Sequence, residues 1–387
     1  IHMIFDVKTD ANLEIEKYKG RAVADSSRSG SDVPAYANTL SWPALRLAFD
    51  IAGKRRDRCY SADYITAFLN SRLPPDHPAV YARQVRGAEK FGPNGEELVC
   101  KMLKALYGLK TAARLWEQNV VKLLLSNGWI RCVTEPCLFF KNTNGRQALL
   151  ALYVDDVFIF IQNEVWAKQE LDLLGDVSKG GYPLKYNGEL RWALKVSVYR
   201  LIDGTFLLNQ ATFIHGLHRK YCNGVQSPKS LPYSKLITKL GKLDPKCKEV
   251  LECREEYQAI IGACHFLANV TRPDICFTVS TLGQYGEYAG KKHLSMSHDL
   301  LQYLNASADL SIRLGGSGTS GSDEISTILR RNDLELRQDD INTLSDAATA
   351  ERQMGGHINY RDISPIAWHG AGLRFTCISI CDAEHAE

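Results

Sequence analysis

The segment LLALYVDDVFIFI, residues 149–161, decides the fold, because it is apolar throughout except for Asp155 and Asp156 at its centre. An ionised carboxylate that is buried without a partner destabilises a protein strongly. One unbroken strand or helix through this segment would point at least one carboxylate into the core. A tight turn at residues 154–157 instead leaves two apolar strands of ordinary length and places both carboxylates at the tip. The segment therefore predicts a β-hairpin.

The acidic tip has two interpretations that the residues alone leave open. In the plainer one the aspartates serve only the turn, since Asp tolerates the backbone conformations that tight turns need. In the other they bind a divalent cation, because Mg²⁺ takes one or two carboxylates together with substrate phosphates. The strand predicted within residues 57–69 supplies a third acid, Asp63. Three neighbouring carboxylates repel one another unless cations lie between them, which is the electrostatic basis of a two-metal phosphoryl-transfer centre.

Hydrophobic periodicity predicts further elements on both sides of this hairpin. Alternating residues at 2–24 predict a second β-hairpin, with its turn at residues 10–12. Helical spacing predicts short helices at residues 43–52 and 164–174, and mostly helical structure at residues 255–305. Mixed strands and helices favour an α+β protein.

The composition is that of a globular protein and excludes collagen-like, coiled-coil and wholly disordered classes. Of 387 residues, 45% are hydrophobic and 24% are charged. The charge is uneven, with 36 Lys and Arg against 25 Asp and Glu up to residue 250, and 11 against 19 after it. A basic part of this size suits a phosphate backbone, although a solvated surface explains it equally well.

The cysteines and the apolar runs indicate the compartment. The eleven cysteines include no CxxC pair, so we expect reduced thiols rather than a disulfide framework or a zinc ribbon. No uninterrupted apolar run approaches the roughly 18 residues of a membrane helix. We therefore expect an intracellular protein with no membrane partner.

Five motifs occur in a fixed order along the chain. They are SADYITAFLN from Ser61, LYGLKTAARLW from Leu106, LYVDDVFIF from Leu152, LLNQATFI from Leu207 and TRPDI from Thr271. Together they resemble the reverse transcriptase of copia-type long-terminal-repeat retrotransposons. The opening FDVKTDANLEIEKYKGRAV is similar to the finger strands of that family, and the C-terminal residues resemble the start of its ribonuclease H domain.

The resemblance implies a right-hand polymerase fold with a ferredoxin-like palm. Residues 1–240 would form the fingers and palm, and residues 241–312 a helical thumb or connection region. Residues 313–340, rich in Gly, Ser and charged residues, would be a linker. Residues 341–387 would form an incomplete ribonuclease H-like α/β segment.

The resemblance also implies a reaction and its metal ligands. The family transfers a nucleotide from a deoxynucleoside triphosphate (dNTP) to a primer 3′-hydroxyl on an RNA or DNA template. Asp63 matches the first catalytic acid, and Asp155 and Asp156 match the second and third. These three side chains would bind two Mg²⁺ ions, with Mn²⁺ as a substitute; Asp63 and Asp155 would bridge both ions, and Asp156 would support them.

Other matched residues would bind the nucleotide. Two basic residues would hold the triphosphate, an aromatic residue would exclude a ribose 2′-hydroxyl, and three residues would form a grip segment for template and nucleotide. In that order they are Lys19 and Arg21, Phe68, and Tyr107, Gly108 and Lys110. A solvated hairpin face, a core Phe and a packing Tyr are the plainer interpretations of these residues.

Some positions depart from the family pattern. Asp25 stands where a second basic residue is usual, and Thr111 and Ala113 replace the usual Gln and Pro of the grip segment. These changes favour an alternative function, that of a catalytically inactive, nucleic-acid-binding retrotransposon remnant.

The C-terminal residues match only part of the ribonuclease H pattern. Asp346 and Glu384 match two of its acids, whereas the later acids are missing, so we expect no ribonuclease H activity. Other parts of a parent Pol polyprotein are expected partners, in a cytoplasmic particle or the nucleus.

Overall fold

The computed structural model describes residues 1–9, 15–25, 33–315, 341–348, 354–361 and 364–372. The strands within them are β1 (His2–Thr9), β2 (Ile15–Val23), β3 (Arg58–Tyr64), β4 (Tyr81–Arg83), β5 (Val99–Lys101), β6 (Ile130–Arg131), β7 (Leu138–Thr143), β8 (Arg146–Tyr153), β9 (Asp156–Ile161), β10 (Leu184–Glu189), β11 (Trp192–Ala193), β12 (Val196–Arg200), β13 (Phe206–Asn209), β14 (Ile312–Leu314), β15 (Ile341–Ala348), β16 (Met354–Arg361) and β17 (Ser364–Gly372). The α-helices are α1 (Trp42–Lys54), α2 (Ala112–Ser126), α3 (Glu164–Gly175), α4 (Ala211–Cys222), α5 (Lys248–Val270), α6 (Cys276–Gly283) and α7 (Lys291–Ala306). This content confirms the predicted α+β class.

The chain forms two compact units. Unit 1 consists of Ile1–Ser41 and Cys59–Glu189, and unit 2 consists of Trp42–Arg58 and Leu190–Glu387. The assignment of fingers, palm, thumb and ribonuclease H-like segment to these elements stays a prediction.

Unit 1 is built on a six-stranded sheet with strand order β10-β3-β9-β8-β7-β6. The apolar faces of α2 and α3 pack with this sheet in one core. Its largest fully buried side chains are Trp116, Trp129, Tyr64 and Phe139. Helix α2 ends before Asn127 and Gly128, where Gly128 adopts a φ of 81° that suits a residue just beyond a helix C-terminus.

The hairpin predicted at residues 149–161 is confirmed. Strands β8 and β9 are antiparallel, and Tyr153 pairs with Asp156 across a two-residue loop formed by Val154 and Asp155. The flanking strand residues Leu152 and Val157 are both buried. The turn between them keeps the two carboxylates out of the core, where an unpaired charge would be costly.

The other predicted elements of unit 1 are confirmed where the structure describes them. Strands β1 and β2 form an antiparallel hairpin, although its turn at residues 10–12 lies outside the described residues. The helix predicted at residues 164–174 is α3, which begins after Asn163, whose side chain accepts a hydrogen bond from the Trp166 amide.

Unit 2 contains the helix predicted at residues 43–52, which is α1, and the helical region predicted at residues 255–305, which is α5, α6 and α7. A four-stranded antiparallel sheet has the order β11-β12-β13-β14. Strands β15, β16 and β17 form a separate antiparallel sheet. Among the helices of the described residues, none has both the length and the apolar composition that crossing a bilayer requires.

Candidate active site

The three predicted acids meet at one end of two neighbouring, interior strands of the unit 1 sheet. Strands β3 and β9 are neighbours in the sheet, and the Tyr64 amide donates a hydrogen bond of 2.9 Å to the Asp155 carbonyl. This bond places Asp63, the residue before Tyr64, beside the turn that carries Asp155 and Asp156. All three side chains are partly buried.

The carboxyl groups perturb one another. Burial, the charge of Asp155 and a hydrogen bond with Asp63 raise the pKa of Asp156 to about 7. A carboxylate can only accept a hydrogen bond, so in this contact a protonated Asp156 donates to Asp63. Burial, and then Asp63, also raise the pKa of Asp155, whereas Lys19 and Arg21 act against this rise.

The donor set fits a divalent cation that is shared with a substrate. Within the described part of the chain, no group of three or more His, Cys, Asp and Glu is arranged to hold a metal ion by itself. The hydrogen bond between Asp63 and Asp156 brings two of the three carboxyl groups into contact. Mg²⁺ commonly takes only one or two carboxylates and completes its octahedral shell with water and substrate phosphates. A bound cation would relieve the repulsion among these carboxylates.

The turn between β8 and β9 is strained, and a hydrogen bond from helix α2 stabilises it. Val154 has a φ of 59°, a left-handed conformation that is rare for a β-branched residue. The indole Nε1 of Trp116, in α2, donates a hydrogen bond of 2.7 Å to the Val154 carbonyl. Trp116 is fully buried, and its ring meets that of Tyr64 edge to face at 5.0 Å. Trp116 therefore connects the turn to the strand that carries Asp63.

The sequence analysis includes Trp116 in a motif but predicts no role for it. The residue type itself was a signal, because the N–H of a buried indole usually has a hydrogen-bond acceptor. What the sequence does not reveal is that the acceptor lies 38 positions along the chain, in the YVDD turn.

The two predicted triphosphate ligands lie near the acids. Lys19 and Arg21 are two positions apart in β2 and so point to the same face of that strand. Both lower the pKa of Asp155 through their charge, which places them within electrostatic range of the acids. Arg21 also lies 3.8 Å from Asp6, an ion pair that is largely exposed to solvent.

The two predicted aromatic residues form a pair near the same acids. The rings of Phe68 and Tyr107 meet at 4.8 Å and an angle of 60°. Burial, followed by the charge of Asp155, raises the pKa of Tyr107, whereas Arg21 lowers it. Tyr107 therefore lies close both to the acids and to β2, the basic strand that carries Lys19 and Arg21. The Phe68 ring packs against the Tyr107 ring.

The grip segment is joined to the basic strand by its backbone. The Ala24 amide donates a hydrogen bond of 2.7 Å to the Tyr107 carbonyl. Gly108 has a φ of 83°, and a Cβ there would fall 2.0 Å from the Ala24 carbonyl oxygen. Only glycine allows this approach. Lys110, the third predicted grip residue, is exposed.

Three further positions were singled out in the sequence, namely Asp25, Asp346 and Glu384. Asp25 is exposed and follows the end of β2 by two residues. Asp346 lies in β15, whereas Glu384 lies outside the described residues, so the pairing of these two acids stays a prediction.

Comparisons with known proteins identify a family. The family described as "Reverse transcriptase (RNA-dependent DNA polymerase)" matches residues 1–233. The retrovirus-related Pol polyprotein from transposon RE1 of Arabidopsis thaliana is 27% identical over 393 residues, which cover 99% of this chain and 24% of that protein. The corresponding polyprotein from transposon TNT 1-94 of Nicotiana tabacum is 26% identical over 81% of this chain and 24% of its own length.

A putative transposon Ty5-1 protein of Saccharomyces cerevisiae is 26% identical over 65% of this chain and 77% of that protein. The chain spans about a quarter of the length of the two plant polyproteins.

Proposed function

We propose that this chain, which belongs to the reverse transcriptase (RNA-dependent DNA polymerase) family, extends a primer 3′-hydroxyl with dNTPs along an RNA or DNA template. The family match and the Pol polyprotein relatives confirm the copia-type resemblance. One observation carries the proposal: Asp63, Asp155 and Asp156 gather at a single strained turn.

Asp63 and Asp155 are the proposed ligands of two Mg²⁺ ions, or of Mn²⁺ in their place, and Asp156 supports them. When bound, the cations lower the pKa of the primer hydroxyl and neutralise charge on the triphosphate. The raised pKa of Asp156 supports this assignment, because carboxyl groups that cannot all ionise alone gain most from a bound cation.

The proposed reaction is an in-line displacement at the α-phosphorus. A bond forms between the primer 3′-oxygen and this phosphorus, the hydroxyl proton is released, and pyrophosphate leaves with the electrons of the broken phosphorus–oxygen bond. Arg21 offers a planar fork and Lys19 a point charge to the triphosphate oxygens. Both residues already lie within electrostatic range of Asp155.

Phe68 is the proposed sugar discriminator. Its ring is held by Tyr107, so it cannot swing away freely when a ribose 2′-hydroxyl presses against it. Gly108 keeps this pair against the basic strand. The proposed partners are the template-primer, the dNTP and other parts of a Pol polyprotein, within the cell in a particle or the nucleus.

A second candidate is a catalytically inactive, nucleic-acid-binding remnant. The observation that favours it is Asp25, an exposed negative charge just after the strand proposed to hold the triphosphate. The two candidates share template binding and differ in metal-dependent chemistry.

Extension of a DNA primer on poly-rA with dTTP separates them, with Mg²⁺ and Mn²⁺ tested in parallel. The control carries Asp155→Asn and Asp156→Asn together. Extension by the parent that is lost in the control supports the polymerase. A folded parent that binds the template-primer and extends nothing with either metal supports the inactive remnant.

A further inference from the structure

Helix α1 of unit 2 carries two charges on its buried face. Arg46 and Asp50 are one helical turn apart and are only 2% and 0% exposed, among buried apolar residues such as Leu45 and Phe49. Charged side chains this deeply buried persist only where partners satisfy them. The source of these partners decides what unit 2 needs in order to fold.

The partners of Arg46 come from two places. Its Nη1 donates to the carbonyls of Asn269 and Val270, at 2.7 and 3.1 Å, so Arg46 caps the C-terminal end of α5. Its Nε donates to the Ile366 carbonyl of β17 at 2.6 Å, and its guanidinium lies 3.9 Å from the centre of the Trp368 ring. Burial lowers the pKa of Arg46 to about 9, which still leaves it charged at neutral pH.

The partners of Asp50 follow the same division. From the part of unit 2 that precedes β15, it meets Lys54 at 3.3 Å and accepts a hydrogen bond of 3.1 Å from the Gly315 amide. Across from α1, Arg361 at the end of β16 contacts it at 2.5 Å. The same Gly315 amide donates to the Ser364 hydroxyl of β17 at 3.0 Å.

A further bond fixes β17 to the helices. The indole Nε1 of Trp368 donates 2.6 Å to the Ala268 carbonyl in the last turn of α5. Trp368 therefore donates a hydrogen bond to a carbonyl near the end of α5, and its ring covers the Arg46 guanidinium. Ile366, two residues earlier in the strand, is 5% exposed.

We propose that strands β15, β16 and β17 form a structural cover that unit 2 requires, a role separate from the nuclease chemistry that the resemblance of this segment implies. Without this segment Arg46 would lose one carbonyl and its aromatic cover, and the fully buried Asp50 would lose its guanidinium partner. The proposal is independent of polymerase activity. A segment that merely followed the polymerase along the chain would leave the charges of α1 satisfied in its absence.

The test uses the full chain with a site-specific protease sequence placed within residues 316–340. After cleavage, size-exclusion chromatography should show both fragments eluting together. In uncut protein, Trp368→Ala should lower the melting temperature by roughly 6 °C or more, because it uncovers a buried charge. The matched control is His369→Ala, which changes the adjacent, exposed side chain of the same strand.

The proposal is overturned if the cleaved C-terminal fragment elutes alone while the remaining chain melts as the uncut parent does. Equal melting of the Trp368→Ala and His369→Ala proteins would overturn it too. Should Trp368→Ala not fold, Trp368→Phe keeps a ring over Arg46 and removes only the N–H donor. The melting temperature of this variant should be lower than that of His369→Ala, by less than the drop expected for Trp368→Ala. Equal melting temperatures for Trp368→Phe and His369→Ala would also overturn the proposal.

Discussion

The indole Nε1 of Trp116 lies 2.7 Å from the Val154 carbonyl oxygen, so helix α2 holds the strained turn that presents Asp155 and Asp156. Trp116 acts on the three acids through this turn and through Tyr64, which follows Asp63 directly in β3. Helix α2, which packs against the sheet, therefore helps to determine the geometry of the turn that carries the acids.

Trp116→Phe should slow nucleotide addition without unfolding the protein. The substitution keeps a ring against Tyr64 and removes only the N–H donor. Because one hydrogen bond is worth about 1 kcal/mol, kcat should fall roughly five- to tenfold, with the KM for dTTP little changed. Trp129→Phe is the matched control, since the buried Nε1 of Trp129 has no hydrogen-bond partner among the residues that the structure describes. Equal kcat values for the two variants would refute a positioning role for Trp116.

Gly108→Ala should disconnect the grip segment from the basic strand. A methyl group there would fall 2.0 Å from the Ala24 carbonyl oxygen, so one of the two backbones must shift. A displacement of about 1 Å can cost 100-fold in rate, and we expect a loss of that order in primer extension.

Gly145→Ala is the control for this substitution, because Gly145 has nearly the same φ, 80°, with nothing within 4 Å of an added Cβ. Both variants bear the cost of a left-handed alanine, and only Gly108→Ala adds the clash. Similar extension rates for the two would show that the contact with Ala24 is unimportant.

Phe68→Ala should weaken the preference for deoxynucleotides over ribonucleotides. Removing the ring opens space beside Tyr107, so the ratio of kcat/KM for dTTP to that for UTP should fall roughly tenfold or more. Tyr107→Phe preserves the ring pair and should keep the ratio of the parent. If UTP is rejected equally well by the Phe68→Ala protein, the selectivity for deoxynucleotides lies elsewhere.

The metal-free protein should lose stability as the pH rises from about 4 to about 7. The pKa of Asp156 is about 7 in the folded chain and about 3.9 in an unfolded one, so the folded state holds the extra proton between these values. The stabilising contribution is complete below pH 4 and is lost as the pH passes through 7.

Thermal unfolding in EDTA between pH 5 and pH 8 measures this loss. Asp156→Asn cannot titrate, so its melting temperature should change less with pH than that of the parent, and it should exceed the parent's at pH 8. Asp172→Asn, an exposed position on α3, should follow the parent. Parallel curves for all three proteins would contradict the raised pKa of Asp156.

The sequence was sufficient for the hairpin. Two charges in an apolar run can be reconciled only by a turn, and Asp155 and Asp156 lie there as predicted. Residue spacing left the place of Asp63 open, and the family resemblance assigned it to the same site; the pairing order of the strands supplies the neighbour relation that spacing does not contain.

Contacts between distant side chains were beyond sequence reasoning. Local pattern does not indicate that Gly108 lies against Ala24, or that Arg46 finds a carbonyl 320 positions away at Ile366. Such pairings depend on packing among several elements at once, whereas hydrophobic periodicity reports only which face of one element is buried.

Catalysis by the three gathered aspartates is best tested by single-turnover addition of one dTMP to a primer on poly-rA with Mg²⁺, comparing the parent with Asp63→Asn and with Asp155→Asn. Template-primer binding is measured for all three proteins. We expect that the parent adds the nucleotide and that both variants bind normally yet lose addition by roughly 100-fold or more. Addition at the parental rate by either variant would show that the aspartates do not catalyse this reaction.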